Sequence, residues 1–198
     1  MNRDSSPPDT RKATAGYVAL QIMTLIRIPM GAAFGLVLVY AAGGSLKLIA
    51  CLALLILIEA SDLLDGVFAR RYDLVSEYGA MLDPYADSIT RLIVYWSMAA
   101  HDLVLFLVPL AMALRDITVA YARISLAKKN RTVSAKRSGK IKAMFQAIGA
   151  FLALLGPFYW DAVGRWSFHA LSWVLITVTL LSAVEYVRAA LLALADKD

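Results

Sequence analysis

Apolar positions gather into six runs, near 23–42, 46–60, 80–100, 103–126, 144–160 and 168–194, separated by short polar or glycine-containing breaks. A helix rises 1.5 Å per residue, so about 20 apolar residues cross the hydrocarbon core of a bilayer. The expected fold is an all-α integral membrane protein, a six-transmembrane-helix bundle formed by 17–198 as one domain. Residues 1–16 are polar and include Pro7 and Pro8; they read as a tail leading into a short N-terminal interfacial segment. The apolar stretch after it carries Arg27 and Pro29 and continues past a short signal-peptide core, so an uncleaved first helix is expected.

Composition agrees with this pattern. Sixty per cent of the 198 residues are hydrophobic, against about 45–50% in soluble domains, and the mean hydropathy is +0.65. The net charge of +5 does not point to nucleic acid, because the basic residues lie where the positive-inside rule places them. Arg3, Arg11 and Lys12 precede the first run, Arg70 and Arg71 follow the second, and Lys128, Lys129, Arg131, Lys136, Arg137, Lys140 and Lys142 stand between the fourth and fifth. The other turns hold little beyond Lys47 and Arg165. A multi-pass protein with both termini and its polar chemistry on the cytoplasmic side is expected, in the inner membrane if the source is bacterial. Cys51, the single cysteine, falls inside an apolar run and reads as a small buried hydrophobe.

The stretch SDLLDGVFARRYDLVSEYGAMLDPYAD, residues 61–87, sets four aspartates beside these runs. Helical neighbours three and four apart share a face. Asp62, Asp65, Gly66 and Ala69 therefore form one stripe, and Gly79, Asp83 and Asp87 form another. Folding the second stripe onto the first brings four carboxylates together, which would repel and resist desolvation without positive charge nearby. Oxygen-rich acidic sites suit Mg²⁺, Mn²⁺ or Ca²⁺, whereas zinc prefers the His and Cys ligands that are scarce here. His101 and His169 read as interfacial residues. Two divalent ions held this way can clamp a pyrophosphate during in-line displacement at phosphorus.

The spacing Asp62-x2-Asp65-Gly66-x2-Ala69-Arg70-x8-Gly79-x3-Asp83-x3-Asp87 resembles the signature of the CDP-alcohol phosphatidyltransferase family at all eight specified positions. The resemblance implies a six-helix, homodimeric enzyme that takes CDP-diacylglycerol and an alcohol and releases CMP. It also implies Asp62, Asp65, Asp83 and Asp87 as ligands of two Mg²⁺ or Mn²⁺ ions, with Asp87 also the catalytic base. Asp65, Gly66, Ala69, Arg70 and Gly79 would meet the nucleotide or pyrophosphate. A looser likeness, Gln21-x2-Thr24-x2-Arg27 where relatives carry Asn-x2-Thr-x2-Arg, adds Thr24 to that set.

The family motif does not select the acceptor. Arg115, Asp116 and Arg123, followed by Gly139, Lys140, Lys142 and Gln146, resemble the corresponding region of the phosphatidylglycerophosphate synthases within the family. A phosphate monoester needs cations of its own. Arg115, Arg123, Lys140 and Lys142 are therefore the expected acceptor-phosphate residues, with glycerol 3-phosphate the expected acceptor and inositol phosphate its nearest competitor. Arg91, four residues after Asp87, is placed to pair with Asp87 or with Glu59. A reading of another class, a cation transporter, draws on the same intramembrane charges, but the acids lie at one face instead of the midplane and no repeat is evident.

Overall fold

The computed structural model describes residues 10–71, 77–129 and 137–195, with side chains for 21–64, 79, 81–129 and 139–195. Six helices account for nearly all of these: α1 (Thr10–Tyr40), α2 (Ser45–Arg71), α3 (Glu77–Ala100), α4 (Leu107–Ala127), α5 (Arg137–Val163) and α6 (Trp166–Ala195). No strand occurs among the described residues. Each apolar run of the sequence becomes one helix. The helices reach past the runs where polar stripes continue the helical period, so α2 carries on to Arg71 and α5 already includes Lys140 and Lys142. The expected tail residues 1–9 lie outside the described residues, and α1 starts at Thr10, inside the segment expected to be interfacial.

Tight turns join α1 to α2, α3 to α4 and α5 to α6. Each contains one residue of positive φ: Gly44 at 125°, Asp102 at 55° and Gly164 at 96°. Glycine meets such angles without the clash a Cβ would bring, and the Gly164 amide closes the end of α5 with a 2.8 Å hydrogen bond to the Trp160 carbonyl. The three hairpins pack together through contacts of α1 with α3, α4 with α6 and α2 with α5. Every helix contributes to the main core, which includes Phe34, Cys51, Met98, Met112, Ala153 and Leu175. A smaller cluster of Val119, Leu126, Tyr186 and Ala190 joins α4 to α6.

Large apolar side chains such as Ile56, Leu57, Leu181 and Val184 face outward, a distribution that suits hydrocarbon rather than water. Three segments are long and apolar enough to cross a membrane: Gln21–Tyr40, Gly139–Val163 and Trp166–Ala195. The six expected helices are all present, and among the described residues α2, α3 and α4 fall short of the apolarity of a span. The reason lies in the charges that α2, α3 and α4 carry along their length: Lys47, Glu59 and Asp62; Asp83, Asp87 and Arg91; and Arg115, Asp116 and Arg123.

Close contact between α1 and α3 positions the polar cluster. A Cβ on Gly35 would come within 2.6 Å of Ser97 Oγ, and one on Gly31 within 3.1 Å of Thr90 Cγ2. Small residues four apart are the usual means of close helix approach in membranes. Gly35→Val is expected to push α1 off α3 at a cost of about 1–3 kcal/mol. Its detergent-solubilised melting temperature should fall, and its activity should fall with it because Thr24 and Arg27 ride on the same helix. An unchanged melting temperature would contradict the close packing.

Candidate active site

On α1, Thr24 and Arg27 lie one turn apart and are 1% and 2% exposed. Their neighbours in sequence, Leu25 and Ile26, face outward, so the helical period turns the polar pair inward. The Thr24 hydroxyl donates to Asp83 Oδ1 at 3.0 Å, the Arg27 guanidinium pairs with Asp62 through Nη1, and Arg27 Nε donates to the Thr24 carbonyl at 3.3 Å. One face of α1 thus holds an aspartate from α2 and an aspartate from α3.

Asp83 and Asp87 are one turn apart on α3, and Gly79, one turn earlier, is buried. Asp87 Oδ1 accepts a 2.7 Å hydrogen bond from Arg91 Nε. The two terminal nitrogens of Arg91 reach both oxygens of Glu59 on α2, at 3.1 and 3.3 Å. Sequence spacing left Arg91 with either Asp87 or Glu59; the structure gives it both. Asp65, Gly66, Ala69 and Arg70 lie on α2, but their side chains are outside the described residues.

Four described carboxylates, Glu59, Asp62, Asp83 and Asp87, meet two guanidiniums, Arg27 and Arg91. The excess is negative, although smaller than the sequence suggested, because the two arginines already carry part of the opposing charge. Contacts among the described residues use Oδ1 of Asp62, Asp83 and Asp87, and a carboxylate has a second oxygen to offer. Among the described residues, no group of three or more His, Cys, Asp or Glu is gathered closely enough to hold a metal ion. The fourth expected ligand, Asp65, is outside that set. All-oxygen donors with surplus negative charge fit hard divalent cations and do not fit zinc.

Beside this acidic cluster is a cavity of about 630 Å³ between α3, α4, α5 and α6, and Asp87 lines it. Arg115, Arg123, Lys140 and Lys142 line the same cavity, so the four residues expected at the acceptor phosphate share one space with the expected base. Asp116 holds two of them: it accepts from Arg115 Nη1 at 2.7 Å and lies 3.5 Å from Lys142 Nζ. Arg115 Nε also donates to Ser182 Oγ on α6 at 3.2 Å. The Arg123 guanidinium sits 5.8 Å from the centre of the Tyr186 ring, a cation–π distance. Four cations face two carboxylates here, Asp87 and Asp116, the reverse of the charge balance next door.

Ser182 and Tyr186 were not singled out by sequence reasoning. A serine or tyrosine in an apolar helix reads as packing, and only proximity in space gives these two their cationic partners. Gln146 was noted by resemblance. The structure buries it one turn below Lys142, where its amide donates to Thr179 Oγ1 at 3.1 Å and its backbone carbonyl accepts from Tyr95 OH at 2.6 Å.

The sequence model of the CDP-alcohol phosphatidyltransferase family matches residues 18–185. A probable phosphatidylglycerophosphate synthase of Mycobacterium tuberculosis is 32% identical over 176 residues, covering 86% of this chain and 80% of its own. The CDP-diacylglycerol–glycerol-3-phosphate 3-phosphatidyltransferase of Bacillus subtilis is 29% identical over 133 residues, 67% of this chain and 69% of its own. That of Rickettsia felis is 28% identical over 141 residues, 69% and 76%. A family match spanning α2 to α5 completely and most of α1 and α6, over a bundle that sets an acidic cluster against a cationic cavity, makes this chain a member of the CDP-alcohol phosphatidyltransferase family.

Proposed function

We propose that this enzyme transfers the phosphatidyl group of CDP-diacylglycerol to glycerol 3-phosphate, forming phosphatidylglycerophosphate and releasing CMP. The observation that carries the reading is the cavity that Asp87 shares with Arg115, Arg123, Lys140 and Lys142. A phosphorylated alcohol presents a dianion and a hydroxyl within a few ångströms of each other, and this cavity presents cations and a carboxylate. Serine or a choline-type alcohol would leave most of those cations without a partner. The names of the relatives from Mycobacterium, Bacillus and Rickettsia support the same acceptor.

In this reading the acceptor phosphate is held by Arg115 and Lys142, which Asp116 and Ser182 keep in place before substrate arrives. Arg123 and Lys140 contribute further charge at the same cavity. The acceptor hydroxyl then lies toward Asp87, whose carboxylate accepts its proton. The hydroxyl oxygen forms a bond to the lipid-side phosphorus. The bond from that phosphorus to the bridging oxygen breaks, and CMP leaves with the bridging oxygen. Met81, Tyr85, Ile117 and Ile124 line the cavity and are exposed, so the acyl chains can stay in hydrocarbon while the headgroup reacts.

Asp62, Asp65, Asp83 and Asp87 would hold two Mg²⁺ or Mn²⁺ ions, which when bound neutralise the pyrophosphate and make its phosphorus more electrophilic. Thr24 and Arg27 orient Asp83 and Asp62 for that task, while Asp65, Gly66, Ala69, Arg70 and Gly79 would line the nucleotide end. The basic residues after α2 and α4 support a cytoplasmic side for this end of the bundle and for both termini.

The test is incorporation of radiolabelled glycerol 3-phosphate into solvent-extractable lipid by purified protein. Label should enter lipid only with CDP-diacylglycerol and a divalent cation present. Chelation with EDTA should abolish incorporation, and added Mg²⁺ or Mn²⁺ should restore it. Incorporation that survives EDTA would remove the metal from the proposal, and none under any condition would remove the acceptor.

A further inference from the structure

Glu59 belongs to no family motif quoted above, yet it is the one acidic residue in the apolar stretch of α2 that precedes Asp62. A carboxylate there is costly unless it is paired. Its partner is Arg91 on α3, and the contact is two-handed, with both terminal nitrogens of the guanidinium on both oxygens of the carboxylate. Such a fork fixes the plane of the guanidinium as well as its position. The remaining donor, Nε, then has one direction available, and it points at Asp87 Oδ1, 2.7 Å away.

We propose that Glu59 is a positioning residue that acts on Asp87 through Arg91. By occupying the two terminal nitrogens, Glu59 restricts Arg91 to a single hydrogen bond with Asp87, on Oδ1, and leaves the second oxygen for the chemistry. Arg91 is four residues beyond Asp87 on the same helix and 9% exposed. Without Glu59 the whole fork can swing onto Asp87, whose two oxygens match it as well as those of Glu59 do. A capped Asp87 neither takes a proton nor holds a cation. The pair also ties α2 directly to α3 on the core side of the carboxylates, complementing the tie through Thr24 and Arg27 on α1. A purely structural ion pair would need the fork on Glu59 but not the third bond to Asp87.

This inference rests on the role proposed above for Asp87, and its test separates the two. Glu59→Gln and the double variant Glu59→Gln with Arg91→Gln are compared with the unaltered protein by CMP release with glycerol 3-phosphate. Mn²⁺ binding in the presence of CDP is measured in parallel, from the loss of the free-ion paramagnetic resonance signal. Glu59→Gln should lower kcat at least tenfold while the KM for glycerol 3-phosphate stays within twofold, and should weaken Mn²⁺ binding several-fold at an unchanged melting temperature. Adding Arg91→Gln removes the cap and should recover several-fold of both losses.

A kcat and Mn²⁺ affinity of Glu59→Gln within twofold of the unaltered protein would overturn the positioning role and leave the function standing. So would a loss that tracks a lowered melting temperature and is not relieved in the double variant. If the unaltered protein releases no CMP with this acceptor, the Mn²⁺ series still decides. An unaltered protein that neither binds Mn²⁺ nor releases CMP removes the role of Asp87 and this inference with it.

Discussion

Asp87→Asn is expected to lower kcat for CMP release by about 10²–10⁴-fold, the range a positioned general base contributes. Asparagine has nearly the same shape, and its carbonyl oxygen can still accept from Arg91 Nε. Arg91 also keeps its fork on Glu59, so the substitution leaves no buried guanidinium without a partner and the fold should persist. What is lost is the charge and the second oxygen, the part of the side chain available to a hydroxyl proton or a cation. Steady-state kinetics and a thermal melt on the same preparation give the check. A folded variant within threefold of the original kcat would assign the base elsewhere.

The second large effect concerns the acceptor end. Arg115→Ala and Lys142→Ala should each raise the KM for glycerol 3-phosphate by about 10- to 150-fold, since a hydrogen bond to a charged group is worth about 1.5–3 kcal/mol. The KM for CDP-diacylglycerol should move little. Neither change leaves Asp116 unpaired, because each cation holds it independently of the other. Arg115→Lys should not rescue: one guanidinium spans Ser182 and Asp116 in different directions, and an ammonium lacks that planar reach. Equal rises in both KM values would mean that the substitutions disturb the bundle rather than the acceptor cavity.

Much of this was open to inspection in the sequence. The six apolar runs gave the number and order of the helices because a helix in lipid has to satisfy its backbone internally, and hydrophobic length reports that directly. The spacing of Asp62, Asp83 and Asp87 placed them on facing stripes because the helical period is a local property. Membership of a span was less legible: α2, α3 and α4 carry the site, and the site's charges dilute the hydropathy that marks a span. Partnerships across helices were the least legible. Arg91 could be assigned to Asp87 from its spacing, but its fork on Glu59 depends on how α2 faces α3. Ser182 meets Arg115 across 67 positions of chain, a distance at which sequence pattern carries no signal.

The positive charge expected beside the aspartates was also only half anticipated. Four carboxylates without counter-charge called for cations, and Arg27 and Arg91 answer part of that demand from within the chain. Their presence gives the acidic cluster a geometry before any ligand arrives. Preorganised charge of this kind needs no rearrangement at the moment of reaction.

The most direct test of the account is CMP release by the purified protein with CDP-diacylglycerol and Mg²⁺, comparing glycerol 3-phosphate, inositol 1-phosphate, free inositol, serine and no acceptor. The account predicts release with glycerol 3-phosphate at a rate well above every other condition. Release driven by serine or inositol, with glycerol 3-phosphate no better than no acceptor, would contradict it.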